Sequence, residues 1–217
     1  MPEKNVGLNK TYWDNFYKSN FKNTPSQFCV CVLTELDPLA VVVELGSGNG
    51  RDSLFFASQG HITVAMDLSH QAIANCKRDA KARKVNHTSF FQGDLSKLAD
   101  VEKTIKHARK KSSGKEIMFY SRFVMHSLDD QQEIDFLQNL SSTLQTGELI
   151  YFEFRSAEDA GLDKHFGGHF RRYVKVDEFK KRLAQGGFNI EYEIIGQGMA
   201  KYKEEDPFVA RIIARKS

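Results

Sequence analysis

The sequence predicts an α/β fold in which a doubly wound, mostly parallel sheet has helices on both faces. From residue 40 onward, five apolar strand-like runs alternate with stretches of helical periodicity, which is typical of such sheets. The first run, Val41–Leu45, breaks abruptly into glycines at every second position, Gly46, Gly48 and Gly50. Glycines there let the backbone take positive φ and let a ligand approach closely.

Two helices are expected ahead of the sheet, within residues 1–38. Aromatic and polar residues alternate at helical spacing over residues 10–21, which predicts a helix with an aromatic stripe. Pro25 is expected to open a second helix that runs to about Glu35, and Pro38 to end it. The aromatic stripe either packs on the core or lies over a ligand.

Seven strands are expected in all. Their ranges are 41–45, 62–67, 88–92, 116–121, 148–155, 188–195 and 208–214. The first helix between them runs from Arg51 to Gln59, and Ser69 and Asp129 are the expected N-caps of two later helices. The motifs spread over too much of the chain to leave a second domain, so residues 1–217 are interpreted as one domain.

Composition limits the partners that the chain requires. The 217 residues have a net charge of +3 and are 41% hydrophobic, so no nucleic acid or anionic membrane is expected as a partner. The basic segment Lys103–Lys115 has no interleaved aromatic residue and is interpreted as a solvated helix face. Three poorly spaced cysteines favour neither disulfides nor a metal site. No apolar run is long enough to span a membrane, and the N-terminus is polar, so we expect a cytoplasmic protein.

An acid at the end of the second strand-like run indicates an adenosine cofactor. In doubly wound folds a carboxylate at this position, here Asp67, holds the ribose. The pattern Glu-x-Gly-x-Gly-x-Gly that begins at Glu44 resembles the first motif of class I S-adenosylmethionine-dependent methyltransferases. Three later segments are similar to further motifs of that family in the same order: Asp67–Ser69, Phe90–Leu95 and Ile117–His126.

The resemblance covers about residues 10–155 and implies a seven-stranded Rossmann-like sheet with an antiparallel last strand. It implies S-adenosylmethionine as cofactor and S-adenosylhomocysteine as product, with the helices of residues 1–38 closing over the cofactor. Tyr12 or Trp13 would then stack on it. The cofactor-binding residues carried over by motif are Trp13, Glu44, Gly46, Ser47, Gly48, Gly50, Arg51, Asp67, Leu68, Ser69, Gly93, Asp94, Leu95 and Ser121. The family's commonest form has an acid or asparagine where this chain has Ser121 and Arg122.

The acceptor is expected near the carboxyl ends of the later strands, where ligands of parallel sheets bind. The segment 156–175 and the last loop are rich in arginine, lysine, histidine and tyrosine, donors that suit phosphate or carboxylate. The alternative is a solvated basic loop. The expected acceptor-binding residues are Arg122, Arg155, Arg171, Arg172, Tyr173, Lys201 and Tyr202. A hydroxyl acceptor would also need a general base, for which the candidates are His165, His169 and His126. His126 is equally explained as a hydrogen-bonded histidine near the end of a strand.

Together these features predict methyl transfer to an oxygen of a small anionic acceptor, such as a phosphorylated or carboxylated sugar or metabolite. The late cluster also has a loose likeness to methyltransferases associated with bacterial surface-polysaccharide synthesis. The chain also resembles thiopurine or tellurite-resistance methyltransferases, which share Gly-x-Gly-x-Gly-Arg and act on soft sulfur, selenium or tellurium compounds. Gly50-Arg51-Asp52 supports this alternative. The unusual Ser121-Arg122 favours a third alternative, a protein that binds S-adenosylmethionine without catalysis. RNA methylation is less expected, because no RNA-binding domain or strongly basic face is evident.

Overall fold

The computed structural model describes residues 3–19, 24–163 and 170–217, with the backbone alone for residues 3–9. The helices are α1 (Glu3–Phe16), α2 (Gln27–Leu33), α3 (Arg51–Ser58), α4 (His70–Ala82), α5 (Leu98–Ser112), α6 (Asp130–Thr143) and α7 (Val176–Gln185). The strands are β1 (Val41–Leu45), β2 (Ile62–Asp67), β3 (Thr88–Gln92), β4 (Ile117–Arg122), β5 (Leu149–Arg155), β6 (Phe188–Gly196) and β7 (Val209–Lys216). Short 3₁₀ turns follow β4 and β5, at Met125–Ser127 and Ala157–Gly161.

The seven strands form one sheet in the order β3-β2-β1-β4-β5-β7-β6. β1 to β5 are parallel, and β7 runs antiparallel between β5 and β6. The predicted Rossmann-like sheet with an antiparallel last strand is confirmed. Strand order reverses between β1 and β4, and ligands of open α/β sheets bind at the carboxyl ends of the strands beside such a reversal.

Helices cover both faces of the sheet. α5, α6 and α7 pack on one face in a cluster that includes Val43 and Phe119. On the other face, α2 and α3 pack around Val42 and Tyr120, and α3 and α4 pack around Ala65. β1 is buried at all five positions, as a central strand with both faces covered must be.

The two N-terminal helices differ in extent from the prediction. The helix expected over residues 10–21 instead spans Glu3–Phe16. Its start was missed because the first residues are polar and show no apolar periodicity. Its end is closed by the N–H groups of Lys18 and Ser19, which donate to carbonyls three residues earlier. α2 begins after Ser26 rather than at Pro25. The Ser26 hydroxyl accepts a hydrogen bond from the Cys29 N–H and caps the helix.

The other two predicted caps are found as expected. Ser69 accepts from the Ala72 N–H, and Asp129 forms a capping box with Gln132. Within the described ranges, no helix is both long and apolar enough to cross a membrane.

Candidate functional site

The glycine turn joins β1 to α3 at the edge of the sheet where the strand order reverses. Gly46, Gly48 and Gly50 take φ values of 86°, 53° and 75°, in the left-handed region that favours glycine. A Cβ at Gly46 would overlap the side chain of Val124, which follows β4. The turn is therefore packed directly against the segment after β4.

Asp67 ends β2 and holds its carboxylate against the glycine turn. Oδ2 accepts from the Gly48 N–H at 2.7 Å and Oδ1 from the Ser69 N–H at 2.8 Å, with half-buried Leu68 between. Burial raises the pKa of Asp67 to about 6, although these two N–H donors lower it. The carboxylate is thus fixed in orientation where a ribose is expected.

Further residues expected at the cofactor follow β3 and β4 at the same edge. The Gly93 N–H donates to the Asp67 carbonyl at 3.0 Å, which brings the turn after β3 beside Asp67. Asp94 Oδ1 accepts from the N–H two residues further on, at 3.0 Å. The Ser121 hydroxyl donates to the Leu45 carbonyl at 3.0 Å and ties the end of β4 to that of β1. These hydrogen bonds therefore join the carboxyl ends of the parallel strands β1 to β4.

Three of the expected cofactor residues also serve the packing. Glu44 is buried and accepts a hydrogen bond from the Ser53 hydroxyl, and burial, with the nearby charge of Asp52, raises its pKa well above the usual range. Leu95 lies in the core cluster under α5 and α6. Arg51 begins α3 with its Nε 3.6 Å from Asp52 Oδ1. Folding alone accounts for these contacts, and the cofactor roles of the three residues remain predictions.

Helix α1 lies over the N-terminus of α4, beside the glycine turn. Asp14 accepts a hydrogen bond of 2.6 Å from the Ser69 hydroxyl, and Asn75 Nδ2 donates to the Tyr17 carbonyl at 2.7 Å. The ring of Trp13, expected at the cofactor, stacks on Tyr17 with centroids 5.9 Å apart. Since α2 packs on the face of the sheet, α1 is the N-terminal helix that adjoins the glycine turn.

Three arginines expected to bind the acceptor are paired with carboxylates of the fold. The pairs are Arg122 with Glu153 (Nε to Oε1, 2.6 Å), Arg155 with Asp159 (Nη1 to Oδ2, 2.6 Å) and with Glu205, and Arg172 with Asp130 (Nη1 to Oδ1, 2.5 Å) and with Glu133. The carboxylates of Glu153, Asp159 and Glu133 are fully or almost fully buried. Much of the positive charge that the sequence assigned to the acceptor is therefore balanced inside the protein.

The other acceptor-side residues lie in two segments. Arg171 is half-buried, and its charge lowers the pKa of Tyr12 on α1 against the larger, upward effect of burial. Tyr173, two residues later, is also half-buried. Lys201 and Tyr202 are exposed in the loop between β6 and β7. The charge of Arg171 thus acts on α1, the helix beside the glycine turn.

Of the three candidate general bases, only His126 lies within the described residues; His165 and His169 lie outside them. His126 is buried, its Nδ1 is 3.4 Å from the Arg155 backbone N–H, and its carbonyl accepts from the Arg172 N–H at 2.8 Å. One ring nitrogen thus faces the backbone. In the part of the chain that the structure describes, no group of three or more His, Cys, Asp or Glu side chains could hold a metal ion.

Phe123 is a residue of this edge that the sequence did not single out. It takes a φ of 57° directly after β4, and its N–H donates to the Glu153 carbonyl at 2.7 Å. The guanidinium of Arg122 lies 4.0 Å from the centre of its ring, and the His126 ring meets it edge-on at 5.2 Å. Left-handed backbone in a bulky residue is uncommon and concentrates at functional sites. The only sequence signal was the unusual Ser121-Arg122 just before it.

Comparison with known proteins identifies a domain within the chain. Residues 42–147 match the family model described as a methyltransferase domain. A protein of Protochlamydia amoebophila named as an uncharacterised RNA methyltransferase is 31% identical over 72 residues. That match spans 33% of this chain and only 17% of the length of that protein.

Several solved structures share the fold at low sequence identity. A SAM-dependent methyltransferase from Anabaena variabilis is 16% identical, with a TM-score of 0.70 over 98% of this chain and 95% of that one. One from Methanosarcina mazei is 16% identical, with a TM-score of 0.68 over 86% and 96%. A TehB-like methyltransferase from Corynebacterium glutamicum is 16% identical, with a TM-score of 0.61 over the whole of both chains. At this level of identity, these likenesses concern the fold alone.

Proposed function

We propose that this chain is a class I S-adenosylmethionine-dependent methyltransferase, as the match of residues 42–147 to a methyltransferase domain supports, and that it transfers the methyl group to an oxygen of a small anionic acceptor. The observation that carries the acceptor half is that the charge of Arg171 lowers the pKa of Tyr12 on α1, against the larger, upward effect of burial. It supports an acceptor-binding role for Arg171 close to the helix beside the glycine turn. An anion held by Arg171 would then lie next to the cofactor.

The residues at the carboxyl edge fit the cofactor. Asp67, beside the glycine turn, offers an oriented carboxylate to the ribose hydroxyls. Gly93 and Asp94 lie beside Asp67, where the adenine would follow the ribose. When bound, S-adenosylmethionine would supply a methyl group attached to a sulfonium sulfur. That sulfur is a good leaving group, because it departs as a neutral thioether. In this arrangement α1 would close over the cofactor, and residues 1–217 would act as one domain.

The protein then has three tasks: to align the acceptor, to exclude water and to remove a proton where the acceptor carries one. A phosphate or carboxylate is already ionised and needs only Arg171, aided by Tyr173, Lys201 and Tyr202. A hydroxyl acceptor would need a base, and His165 and His169 remain the candidates in the acceptor segment.

Methyl transfer to a soft sulfur, selenium or tellurium nucleophile is the second candidate. The observation in its favour is the pairing of Arg122, Arg155 and Arg172 with carboxylates, which lowers the net positive charge near the acceptor. The TehB-like protein of C. glutamicum shares the fold over the whole chain. A soft nucleophile needs no cation to hold it, so loss of Arg171 should not affect it.

Assays of the Arg171→Ala variant distinguish the two candidates. One panel of acceptors consists of phosphorylated or carboxylated sugars, and the other consists of small thiols. For an anionic acceptor we expect the KM to rise roughly 10- to 100-fold, the cost of one hydrogen bond to a charged group, while the affinity for S-adenosylhomocysteine is unchanged. Arg83→Ala, an exposed arginine at the end of α4, is the matched control. Turnover of thiols alone, at equal rates in both variants, would select the second candidate.

A further inference from the structure

Tyr17 lies on the glycine turn, although no motif assigns it a role. A Cβ placed on Gly48 would be 2.5 Å from the Tyr17 hydroxyl oxygen, so the phenol occupies the space that the missing side chain leaves. Burial raises the pKa of Tyr17 well above its usual range, and the charge of Asp67 raises it further. The hydroxyl of Tyr17 and the carboxylate of Asp67 therefore lie together beside Gly48.

The position of Tyr17 is fixed from several sides. Its carbonyl accepts from Asn75 Nδ2 at 2.7 Å, and its ring stacks on Trp13. The turn of helix just before it is held on α4 by Asp14, which accepts from the Ser69 hydroxyl. A side chain anchored by its own backbone and by a neighbouring helix has little rotamer entropy left to lose when a ligand binds.

The Tyr17 hydroxyl and the Asp67 carboxylate determine which chemical groups can bind beside Gly48. A group seated between them must donate a hydrogen bond to the Asp67 carboxylate and accept one from the phenol of Tyr17. A carboxylate or phosphate has no proton to donate to Asp67. A vicinal diol both donates and accepts, and the ribose of S-adenosylmethionine carries one.

We propose that Tyr17 is a cofactor-binding residue that donates its phenolic hydrogen to a ribose oxygen, opposite the bonds that the ribose makes to Asp67. This assignment rests on the cofactor site described under the proposed function. It differs from the stacking role expected of Tyr12 or Trp13, because it depends on one hydroxyl group and not on an aromatic surface.

The test is calorimetric binding of S-adenosylhomocysteine and of 5′-methylthioadenosine, which keeps the ribose and lacks the amino acid group. We expect Tyr17→Phe to weaken both ligands by the same factor, roughly 2- to 12-fold for one neutral hydrogen bond. Tyr192→Phe, which removes a hydroxyl from the exposed strand β6, should bind as the wild type does. Equal thermal unfolding midpoints for the two variants would show that folding is intact.

Two results would overturn the proposal. Unchanged affinity of Tyr17→Phe for both ligands would mean that the hydroxyl makes no bond to the cofactor. Weaker binding of S-adenosylhomocysteine alone would assign the hydroxyl to the amino acid end instead of the ribose. Failure of the wild type to bind either ligand is a distinct outcome, because it removes the cofactor site itself and the role of Tyr17 with it.

Discussion

We expect Asp67 to make cofactor binding dependent on pH. Its pKa is raised to about 6 by burial, whereas an unfolded aspartate titrates near 3.9. Between these values the native state binds more protons, so this group's contribution to stability falls as pH rises through that window. Cofactor affinity should change in the opposite direction, because the ionised carboxylate is the form that accepts both ribose hydroxyls.

We therefore expect the affinity for S-adenosylhomocysteine to increase from pH 5 to about pH 7, by up to about tenfold per unit below the pKa, and then to level off. Calorimetry across this range measures it. The variant Asp67→Asn should bind weakly at every pH, with no rise. Equal wild-type affinity at pH 5 and pH 7 would contradict a ribose contact by Asp67.

At the scale of residues, the sequence predicted the positions of short-range motifs and missed long-range pairs. The glycine turn and Asp67 could be read from spacing, because each is fixed by the strand it follows. The pairing of Arg155 with Glu205 could not, since Glu205 is fifty residues away along the chain and only the fold brings the two residues together. Tyr17 was visible as part of an aromatic stripe, but its contact with Gly48 depends on where α1 lies.

Arg155 joins the end of β5 to the loop between β6 and β7. Its guanidinium pairs with the fully buried Asp159 and with Glu205, and Asp159 also accepts from the Phe208 N–H at 3.0 Å. We expect Arg155→Ala to lower the free energy of unfolding by about 3–5 kcal/mol, because it leaves a buried carboxylate without its counter-charge. Urea unfolding at pH 7.5 measures the loss.

A surface pair provides the control for that loss. Arg78 pairs with Asp79 at 2.9 Å while 62% of its side chain is exposed, so Arg78→Ala should cost at most about 1 kcal/mol. A loss of similar size in the two variants would mean that Arg155 contributes little to the fold and remains available to an acceptor.

Among the elements, the strands were predicted more closely than the helices. Each of the five parallel strands is a short apolar run with clear ends. These five and the antiparallel β6 and β7 were all found within one or two residues of their predicted bounds. α1 was shifted, because its first turns are polar and have no periodicity to detect. Ser26, Ser69 and Asp129 fix the starts of α2, α4 and α6 through their side chains, and the last two were recognisable by residue type alone.

At the scale of the whole molecule, helix α1 lies outside the core. The core clusters are built from the sheet, from α2 through α7 and from the loops between them, whereas no residue from Lys10 to Phe16 in α1 is buried. The core that specifies the fold and the helix beside the glycine turn are therefore largely separate. This division suits a cover that forms part of a binding site without being needed for folding.

A chain that begins at residue 24 tests that division. We expect it to unfold cooperatively in urea, because every described element of the core is kept, and to bind S-adenosylhomocysteine roughly tenfold or more weakly, since the Tyr17 hydrogen bond and the apolar cover are lost. Circular dichroism and calorimetry measure the two properties on the same sample. Loss of cooperative unfolding would make α1 part of the folding core. Undiminished affinity with intact folding would mean that the cofactor binds without α1, and that Asp14 holds the helix on α4 for another purpose.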